Sequence, residues 1–582
     1  MAGTIKQDKN KLYIYPALII GAIASFFLLL LNFKQAPGND WLYFDSFNLL
    51  TRSIVLNYHK FPIHDPWTLG GADILANPQT RIFSPFVLFD LMLNPDISNK
   101  LSLIILSIIG TIGCYKLLKY LQIGKDVSFI CSLIFINSSW FGLHYAEGHI
   151  AFGAFQLIAL AFYFILRLRE ARYMVLFALL NAFFLLDGAI YMFIFISLLL
   201  FTSLCLSING VSFKSLFISW RKEWKAFLLS FILFLLLASP KIIPLLLIHA
   251  DRPPILENYC MDTKFIFNCL FNPFQYKDKP CGYNICFFHE FGCYIGIVAF
   301  SLFACFIVLK KHFLRFYKYI ILAVLFFWIG SGTIEVINPY RIIQHIPLAN
   351  NAHIQSRYFI ISILAFIILL ANSLDWIKSK ISPVFFLLIA LFLIAESFFV
   401  KNYPFYDIFY NKKLSSPIDL YKPLISSHTI DSTVNYEETP FIYYHNNTGT
   451  KHTYEPAKSS GKIKCTQEKE YKGEIYFTAG KGIAKFLYYI PGEIQFYYKS
   501  DRNPVLELNA NFLQGWEIIQ GEGTVYEENG LISVKPKNNG GIITLAYRPA
   551  YFNYVVLFYV VGILILISVV FRFKRSGKAI FQ

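Results

Sequence analysis

The sequence contains few charged residues, and this scarcity excludes most classes of soluble protein. Only 15% of its 582 residues are Asp, Glu, Lys or Arg, whereas 56% are hydrophobic and 18% are aromatic. A soluble domain averages about 25% charged residues and about 45–50% apolar ones. The composition therefore indicates a polytopic membrane protein, for which the lipid bilayer is the first partner.

The sequence also lacks a continuous basic stripe, although its formal net charge is +16. The basic residues lie between apolar runs, so a nucleic acid is not expected as a partner. No small-residue cleavage site follows the first apolar run, and we expect that run to remain as a membrane span. Internal repeats are not evident, which disfavours transporters built from duplicated halves.

Apolar runs of about 15–22 residues recur along the chain, and roughly 20 residues are needed to cross a bilayer. They predict about twelve spans. Both termini are expected in the cytoplasm, because every predicted inner connection is rich in Lys and Arg. The predicted spans are 12–33, 101–118, 127–141, 150–166, 173–187, 188–208, 226–247, 294–309, 319–333, 358–374, 383–400 and 551–571.

Three connections on the predicted outer face are long, namely 34–100, 248–293 and 401–549. The third contains alternating stretches such as "GEIQFYYKS" and "GLISVKP", which are typical of short β-strands. We therefore expect a transmembrane domain at 1–400 that carries the first two outer loops. An extracytoplasmic all-β, sandwich-like domain follows at 401–549, and a final span with a basic cytoplasmic tail occupies 550–582.

Ionisable residues collect at the predicted outer ends of the spans, where they usually face a polar cavity or a partner. Glu147 and His149 lie in the turn "HYAEGHIAF" between two short spans, and Asp187 lies in "FLLDGAIY" between two more. Short helix pairs would leave a recess, so one outward-facing site is expected. His149 is equally well explained as an interfacial histidine, and Asp187 as a helix cap or the partner of a buried arginine. Glu147 and His149 could hold a divalent cation, but two residues are a weak metal signal.

Cysteines cluster in the second outer connection, which predicts disulfides in an oxidising compartment. A zinc site is the alternative, but no C-x-x-C spacing supports it. Four cysteines permit three pairings, and the sequence does not choose among them. The candidates are Cys260, Cys269, Cys281 and Cys286.

The first outer connection reads "FPIHDPWTLGGADILANPQTRIFSPFVLFDLML" at 61–93, after "NDWLYFDSFNLLTRSI". It resembles the YfhO-like family of bacterial membrane proteins, which in turn resemble the class C (GT-C) glycosyltransferases. Further motifs follow in the family's order: "EGHIAF", "ASPKIIPLL", "HEFGCYIG", "QSRYFIISILAF" and the C-terminal "NFLQGWEI", "NGLISVKP" and "ITLAYRPAYF". Two departures concern the acceptor loop. "HDPW" stands where the family has W-N-P, and Gln355 stands where it has proline.

The resemblance implies a GT-C-like enzyme of the bacterial cytoplasmic (inner) membrane. Such an enzyme moves a sugar, with inversion, from a polyprenyl-phosphate-linked donor to an envelope glycan or glycolipid on the extracytoplasmic face. Its general base would be an acidic residue of the first outer loop, which matches Asp40 best and Asp45 second. Arg357 would stabilise the departing phosphate, with Arg341 and His149 as further candidates, although Arg357 could equally anchor a span. A bound cation such as Mg or Mn would act similarly and is the only cofactor suggested.

Other residues are candidates for substrate binding. The loop "GGADILANPQ" would form the acceptor wall, with Asn77 and Gln79 bonding to hydroxyls, or it could merely cap short helices. Glu290, in "HEFGCYIG", is a further candidate beside Glu147 and Asp187. The aromatics Trp41, Tyr43 and Trp67 could stack on sugar faces, but the favoured interpretation is that they lie at the membrane interface. Two other classes stay open: a lipid-linked saccharide transporter, and a non-catalytic scaffold for envelope-glycan assembly.

Overall fold

The computed structural model describes residues 11–32, 39–249, 261, 265–276, 287–309, 316–332, 338–345, 354–411, 429–431, 448–450 and 462–575. Within them, every apolar run predicted as a span contains helix. The helices are α1 (Lys11–Ala24), α2 (Phe27–Leu31), α3 (Asn39–Leu56), α4 (Val87–Met92), α5 (Pro95–Tyr120), α6 (Lys125–Ile136), α7 (Ser139–Glu147), α8 (Ile158–Leu166), α9 (Ala171–Leu186), α10 (Ile190–Cys205), α11 (Phe213–Lys222), α12 (Trp224–His249), α13 (Ile266–Phe271), α14 (Phe288–Phe291), α15 (Ile297–Leu309), α16 (Tyr317–Ser331), α17 (Pro339–Ile343), α18 (Phe359–Lys378), α19 (Pro383–Tyr406) and α20 (Tyr551–Arg575).

Six helical segments of the described chain are long and apolar enough to cross a membrane. A seventh results if the pair Ile190–Cys205 and Ile208–Lys222, bent by 95°, is one crossing. The other apolar helices, including α1, α9, α15 and α16, have only 10–17 residues. The molecule is therefore a multi-pass membrane protein, and the count of twelve spans stays a prediction.

Local sequence signals set several helix ends. Asn94 caps α5 by accepting a hydrogen bond from the Asp96 amide, and Pro95 follows at the first helical position.

Glycines let α5 approach its neighbours closely. A Cβ at Gly110 would lie 2.3 Å from the Gln156 carbonyl oxygen. This contact fixes the 3₁₀-helix Ile150–Leu157, which leads from the turn at residues 147–149 into α8.

The predicted boundary at residue 400 falls inside a helix. α19 continues to Tyr406, and a π-helix extends it from Asp407 to Asn411. Of the region that follows, the structure describes the short strands β3 (Thr429–Asp431) and β4 (Thr448–Thr450) and then residues 462–575.

The C-terminal region is a β-sandwich, as the alternating pattern predicts. Two four-stranded antiparallel sheets have the orders β10-β11-β8-β5 and β6-β7-β12-β9. They share a core that contains Phe496 and Leu545 from one sheet and Leu508 and Val534 from the other. The strands are β5 (Ile475–Ala479), β6 (Gly482–Ile490), β7 (Glu493–Ser500), β8 (Val505–Asn511), β9 (Trp516–Gln520), β10 (Gly523–Glu528), β11 (Leu531–Pro536) and β12 (Gly540–Tyr547).

The first long connection is folded and packed. It contains α3 and a two-stranded hairpin, β1 (His64–Asp65) with β2 (Ala72–Asp73), before α4. Trp41 and Trp67 are 0% and 1% exposed and Tyr43 is buried. The expectation that these aromatics lie at the membrane interface is therefore wrong, because Trp41 and Tyr43 lie in the large core of the helices and Trp67 lies in a smaller core with Leu49 and Leu50.

The β-sandwich makes direct hydrogen bonds to the hairpin and its turn. The Tyr489 hydroxyl and the Asn511 amide donate to the backbone carbonyls of Gly70 and Gly71, each at 3.3 Å. The Tyr547 hydroxyl donates to the Asp73 carboxylate at 2.8 Å. Burial raises the pKa of Asp73, although hydrogen bonds from Tyr551 and Tyr547 oppose the shift. These contacts join the "GGAD" segment to the β-sandwich.

Candidate functional site

The turn after α7 is built around Gly148, whose φ of +114° strongly favours glycine. The amides of Gly148 and His149 both donate to the His144 carbonyl, at 3.0 and 2.9 Å. This turn folds the chain back, so His149 lies over the last turn of α7. A Cβ at Gly148 would lie 2.3 Å from the Trp41 nitrogen. The turn therefore rests directly on the first turn of α3.

This packing brings His149 to Asp40. The Nε2 atom of His149 lies 3.2 Å from Oδ2 of Asp40 and 3.9 Å from Oε1 of Glu290. Its Nδ1 atom lies 2.8 Å from Nδ1 of His144. Asp40 was predicted in an outer loop, but it occupies the first turn of α3. The helix fixes the direction of its carboxylate more firmly than a loop would.

The two imidazoles have complementary proton positions. If Nε2–H of neutral His149 donates to Asp40, its Nδ1 accepts, and Nδ1 of His144 must be the donor between the rings. The Nε2 atom of His144 is then a proton-free acceptor. It is buried and has no hydrogen-bond partner among the described residues, which fits this assignment. His149 therefore orients the Asp40 carboxylate through this hydrogen bond.

Arg357 and Glu290 form the other half of the cluster. The guanidinium Nη2 donates to Oε1 of Glu290 at 3.0 Å, and both side chains are about nine-tenths buried or more. Burial alone would raise the pKa of Glu290, but the charge of Arg357 lowers it well below its ordinary value. The guanidinium also lies over the faces of Phe152 and Tyr191. Arg357 is thus held in place before any substrate arrives.

Exposure distinguishes the carboxylates. The Asp40 side chain is 25% exposed, against 7% for Glu290. Asp45 is 1% exposed, and its Oδ1 accepts a hydrogen bond from the Asn99 amide at 2.7 Å. Burial, and next the charge of Asp96, raise the pKa of Asp45 well above its ordinary value. Among these acids, Asp40 is the one that an incoming hydroxyl can reach.

Glu147 lies at the edge of the cluster. Its Oε2 atom is 3.9 Å from Nδ1 of His289, whose ring centroid is 5.9 Å from that of His149. Thus five predicted site residues converge here from four separate parts of the chain: Asp40, Glu147, His149, Glu290 and Arg357.

A group that could hold a metal ion also lies here. His144, His149 and Glu290 each offer a ligand atom, and these atoms lie within 4.8 Å of one another. Two imidazoles and one carboxylate suit Mn or Zn better than Mg, which prefers oxygen ligands. Glu147, predicted as a ligand beside His149, is not in this group. A cation would compete with Arg357 for Glu290 and with the bond between the imidazoles.

The remaining predicted site residues lie elsewhere. The Asp187 carboxylate accepts from the Ser84 hydroxyl at 2.7 Å and, with Gln79, lines a separate pocket. The Asn77 side chain accepts from the Gln79 amide at 2.8 Å, so it closes a turn of its own loop. Arg341, on α17, has an exposed side chain.

The predicted disulfides stay a prediction. Cys269 is a buried free cysteine, and its carbonyl accepts from the Cys293 amide at 3.2 Å. Cys260, Cys281 and Cys286 lie outside the described residues.

Sequence reasoning missed His144 and His289 as members of the cluster. His144 is five residues from His149, a spacing that does not share a helix face. The signal that could have found it is Gly148. A glycine just after a helix predicts a turn that folds the following residue back onto the helix end.

No family model matches the chain, and no curated protein matches it. The resemblance to the YfhO-like family therefore stays a prediction. One solved structure with a coarse likeness is the archaeal oligosaccharyltransferase AglB from Archaeoglobus fulgidus, in complex with an inhibitory peptide and a dolichol-phosphate. The identity is 14% and the TM-score is 0.40, over 76% of this chain and 65% of that chain. The chain thus matches less than two thirds of the length of that protein.

Proposed function

We propose that this protein is a membrane glycosyltransferase that moves a sugar from a polyprenyl-phosphate-linked donor to an acceptor hydroxyl of the cell envelope, on the extracytoplasmic face. One observation carries the proposal: Asp40, the most accessible carboxylate of the cluster, is held at 3.2 Å from His149 beside the Arg357–Glu290 ion pair. A reachable carboxylate beside a fixed cation is what glycosyl transfer requires.

In this reaction Asp40 accepts the proton of the acceptor hydroxyl. The acceptor oxygen forms a bond to the anomeric carbon of the sugar, while the bond from that carbon to the phosphate oxygen breaks. The lipid phosphate leaves with the electron pair of that bond. Attack opposite the leaving group inverts the anomeric centre. His149 is the positioning residue, because its Nε2–H orients the Asp40 carboxylate.

The departing phosphate needs a positive charge that stabilises it, and the guanidinium of Arg357 is already paired with Glu290. The carboxylates of Asp40 and Glu147 lie near His149 and His289. Further positive charge would come from a divalent cation. His144, His149 and Glu290 would hold such a cation, which would supply charge stabilisation to the leaving group.

The test uses purified protein in lipid nanodiscs with a panel of polyprenyl-phosphate sugars and an envelope extract as the acceptor. Mass spectrometry follows loss of donor and release of lipid phosphate, with a chelator and with Mn²⁺ or Mg²⁺ added back. Asp40→Asn should lower turnover by about 10²–10⁴-fold, the usual contribution of a general base.

Asp126→Asn is the matched control. Asp126 pairs with Lys378 at an exposed position, with 68% of its side chain accessible, so its loss should leave turnover unchanged. Equal turnover by wild type and Asp40→Asn would refute Asp40 as the base. No turnover of any donor by wild type, with an acceptor shown to be usable by another transferase, would refute the proposed function.

A further inference from the structure

Helix α11 lies between two apolar helices and runs across them rather than along them. α10 and the segment that contains α11 are bent by 95° relative to each other. The turn between them is sharp, and Ser207, Asn209 and Gly210 all have positive φ. α12 begins at Trp224, directly after α11, and is long and apolar enough to cross a membrane. α11 therefore lies close to the membrane plane, at the point where one membrane helix ends and the next begins.

α11 lies at the membrane face away from the Asp40 cluster. Tyr191, in the first turn of α10, has its ring centroid 5.2 Å from Cζ of Arg357 in that cluster. α10 then continues for 16 residues, which carry the chain about 24 Å at 1.5 Å per residue. At its far end the Lys318 ammonium donates to the Ser207 carbonyl at 2.8 Å and so holds the turn before α11. A length of about 24 Å approaches the hydrocarbon thickness of a bilayer, so α11 begins near the opposite boundary.

One side of α11 contacts the protein, and another side is apolar and exposed. Leu216 is buried, and the Trp220 ring stacks on Phe227 of α12 with 4.7 Å between the ring centroids. Phe213 and Phe217 are 54% and 67% exposed. At about 100° per residue these two positions lie about 40° apart around the helix axis. Exposed phenylalanines on a short helix beside a membrane span are typical of a helix that lies in the bilayer interface.

The charges of this segment are mainly positive. Lys214 and Arg221 lie about 40–60° around the helix from Phe217, whereas Lys222 lies about 140° from it. Among the described residues, none of the cations of the segment forms a salt bridge. The segment contains the four cations Lys214, Arg221, Lys222 and Lys225 and the single acid Glu223, and all four cations are exposed.

This arrangement matches the bilayer better than the other possible occupants. As part of a crossing helix, α11 would place three cations in ten residues inside the hydrocarbon, which is costly. A second copy of the chain would bring two clusters of the same charge together. In a bilayer, the phenylalanines enter the apolar layer, and the cations beside them reach the level of the head groups on their long stems. Anionic head groups supply the complementary charge.

We propose that α11 lies in the membrane interface, at the face away from the Asp40 cluster, and binds anionic phospholipids. Phe213 and Phe217 enter the acyl chains, and Lys214 and Arg221 bind the anionic head groups, while Lys222 faces water. The bound lipid holds the ends of α10 and α12 at a fixed depth. The inference does not depend on the proposed transferase function.

The test uses the full-length protein in nanodiscs of phosphatidylcholine with increasing fractions of phosphatidylglycerol. A trace of either lipid carries a diazirine on its acyl chain close to the head group, and labelled peptides are mapped by mass spectrometry. Labelling of residues 213–221 is expected with both probes and should be stronger with phosphatidylglycerol. This preference should fall when salt is raised from about 0.1 M to about 1 M, which shortens the Debye length from about 10 Å to about 3 Å.

Variants locate the site on the helix. Lys214→Gln and Arg221→Gln should each raise the phosphatidylglycerol fraction at half-maximal labelling by about fivefold, the effect of one basic residue at an anionic surface. Lys222→Gln is the matched control, because it removes the same charge from the opposite side of α11, and it should change this fraction by less than about twofold. Replacement of Phe213 and Phe217 together by serine should lower labelling by both lipids.

Each outcome supports or overturns the proposal. Absence of labelling at residues 213–221 would place α11 outside the bilayer and overturn it. Equal labelling by the two lipids at low salt, or a Lys222→Gln effect as large as that of the other two substitutions, would overturn the anionic lipid site. Cross-linking of α11 to a second copy would identify a protein interface instead. Loss of the transferase reaction with the lipid preference retained would refute the proposed function alone.

Discussion

Replacement of Gly148 by alanine tests whether the turn after α7 positions the Asp40 cluster. A Cβ there would lie 2.3 Å from the Trp41 nitrogen, 2.7 Å from the Asp40 carbonyl carbon and 2.9 Å from its Cβ. The first two are backbone atoms of α3, so no side-chain rotation relieves the overlap. The positive φ adds about 1–3 kcal/mol of backbone strain. Either the turn or α3 must move by about 1 Å.

Movement of this size separates His149 from Asp40. A misplacement of about 1 Å can cost about 10²-fold in rate, so Gly148→Ala should lower turnover by about that factor as well as the thermal unfolding midpoint. Gly210→Ala is the matched control, because Gly210 also has a positive φ, +76°, but its nearest neighbour would be the Arg169 Nη1 atom at 3.9 Å. It should lower the midpoint alone. Equal activity of the two variants would refute the positioning role of Gly148.

Two further predictions concern the first long connection. Burial raises the pKa of Asp73, so its contribution to stability is full below its ordinary value of 3.8 and is lost as the pH rises through the raised value. The midpoint difference between wild type and Asp73→Asn, followed by tryptophan fluorescence, should therefore shrink as the pH rises, and a difference that grows would contradict this. Lys241 donates to the Asn77 and Thr80 carbonyls at 2.7 and 2.8 Å. Lys241→Met should destabilise the protein by about 1–3 kcal/mol and speed proteolysis near residue 77, while the exposed Lys222→Met should not.

The helical and β regions could be predicted because their signals are local. Apolar length indicates a membrane helix, and alternation indicates a strand, whatever the rest of the chain does. Helix boundaries were less certain, and α19 passes its predicted end at residue 400 because "YPFY" continues the helical turn. Pro404 sits inside this last turn, where the usual rule would end the helix earlier.

The site was only partly predictable, because its members meet through packing. The acids near residues 40, 147 and 290 could be proposed from their positions at helix ends. The choice of Asp40 over Asp45 depends on which face of α3 packs inward, and this comes from α5, where Asn99 holds Asp45. The pattern of apolar and polar residues along α3 does not show which of the two carboxylates is exposed. The aromatics of the first connection were misplaced for the same reason, since a hydrophobic segment near a membrane can enter the bilayer interface or the protein core.

Two short turns pack against the first long connection, one beside the Asp40 cluster and one beside Gln79. Each turn has an acid followed by a glycine, Glu147–Gly148 and Asp187–Gly188, and each glycine has a positive φ. Gly148 rests on α3, while a Cβ at Gly188 would lie 2.2 Å from the Gln79 carbonyl oxygen. Both turns thus press on the backbone of the first long connection, and backbone contacts allow little independent adjustment. The distance between Asp40 and the loop that contains Gln79 is therefore set by the fold itself, so a change in either turn should move a segment of the first long connection.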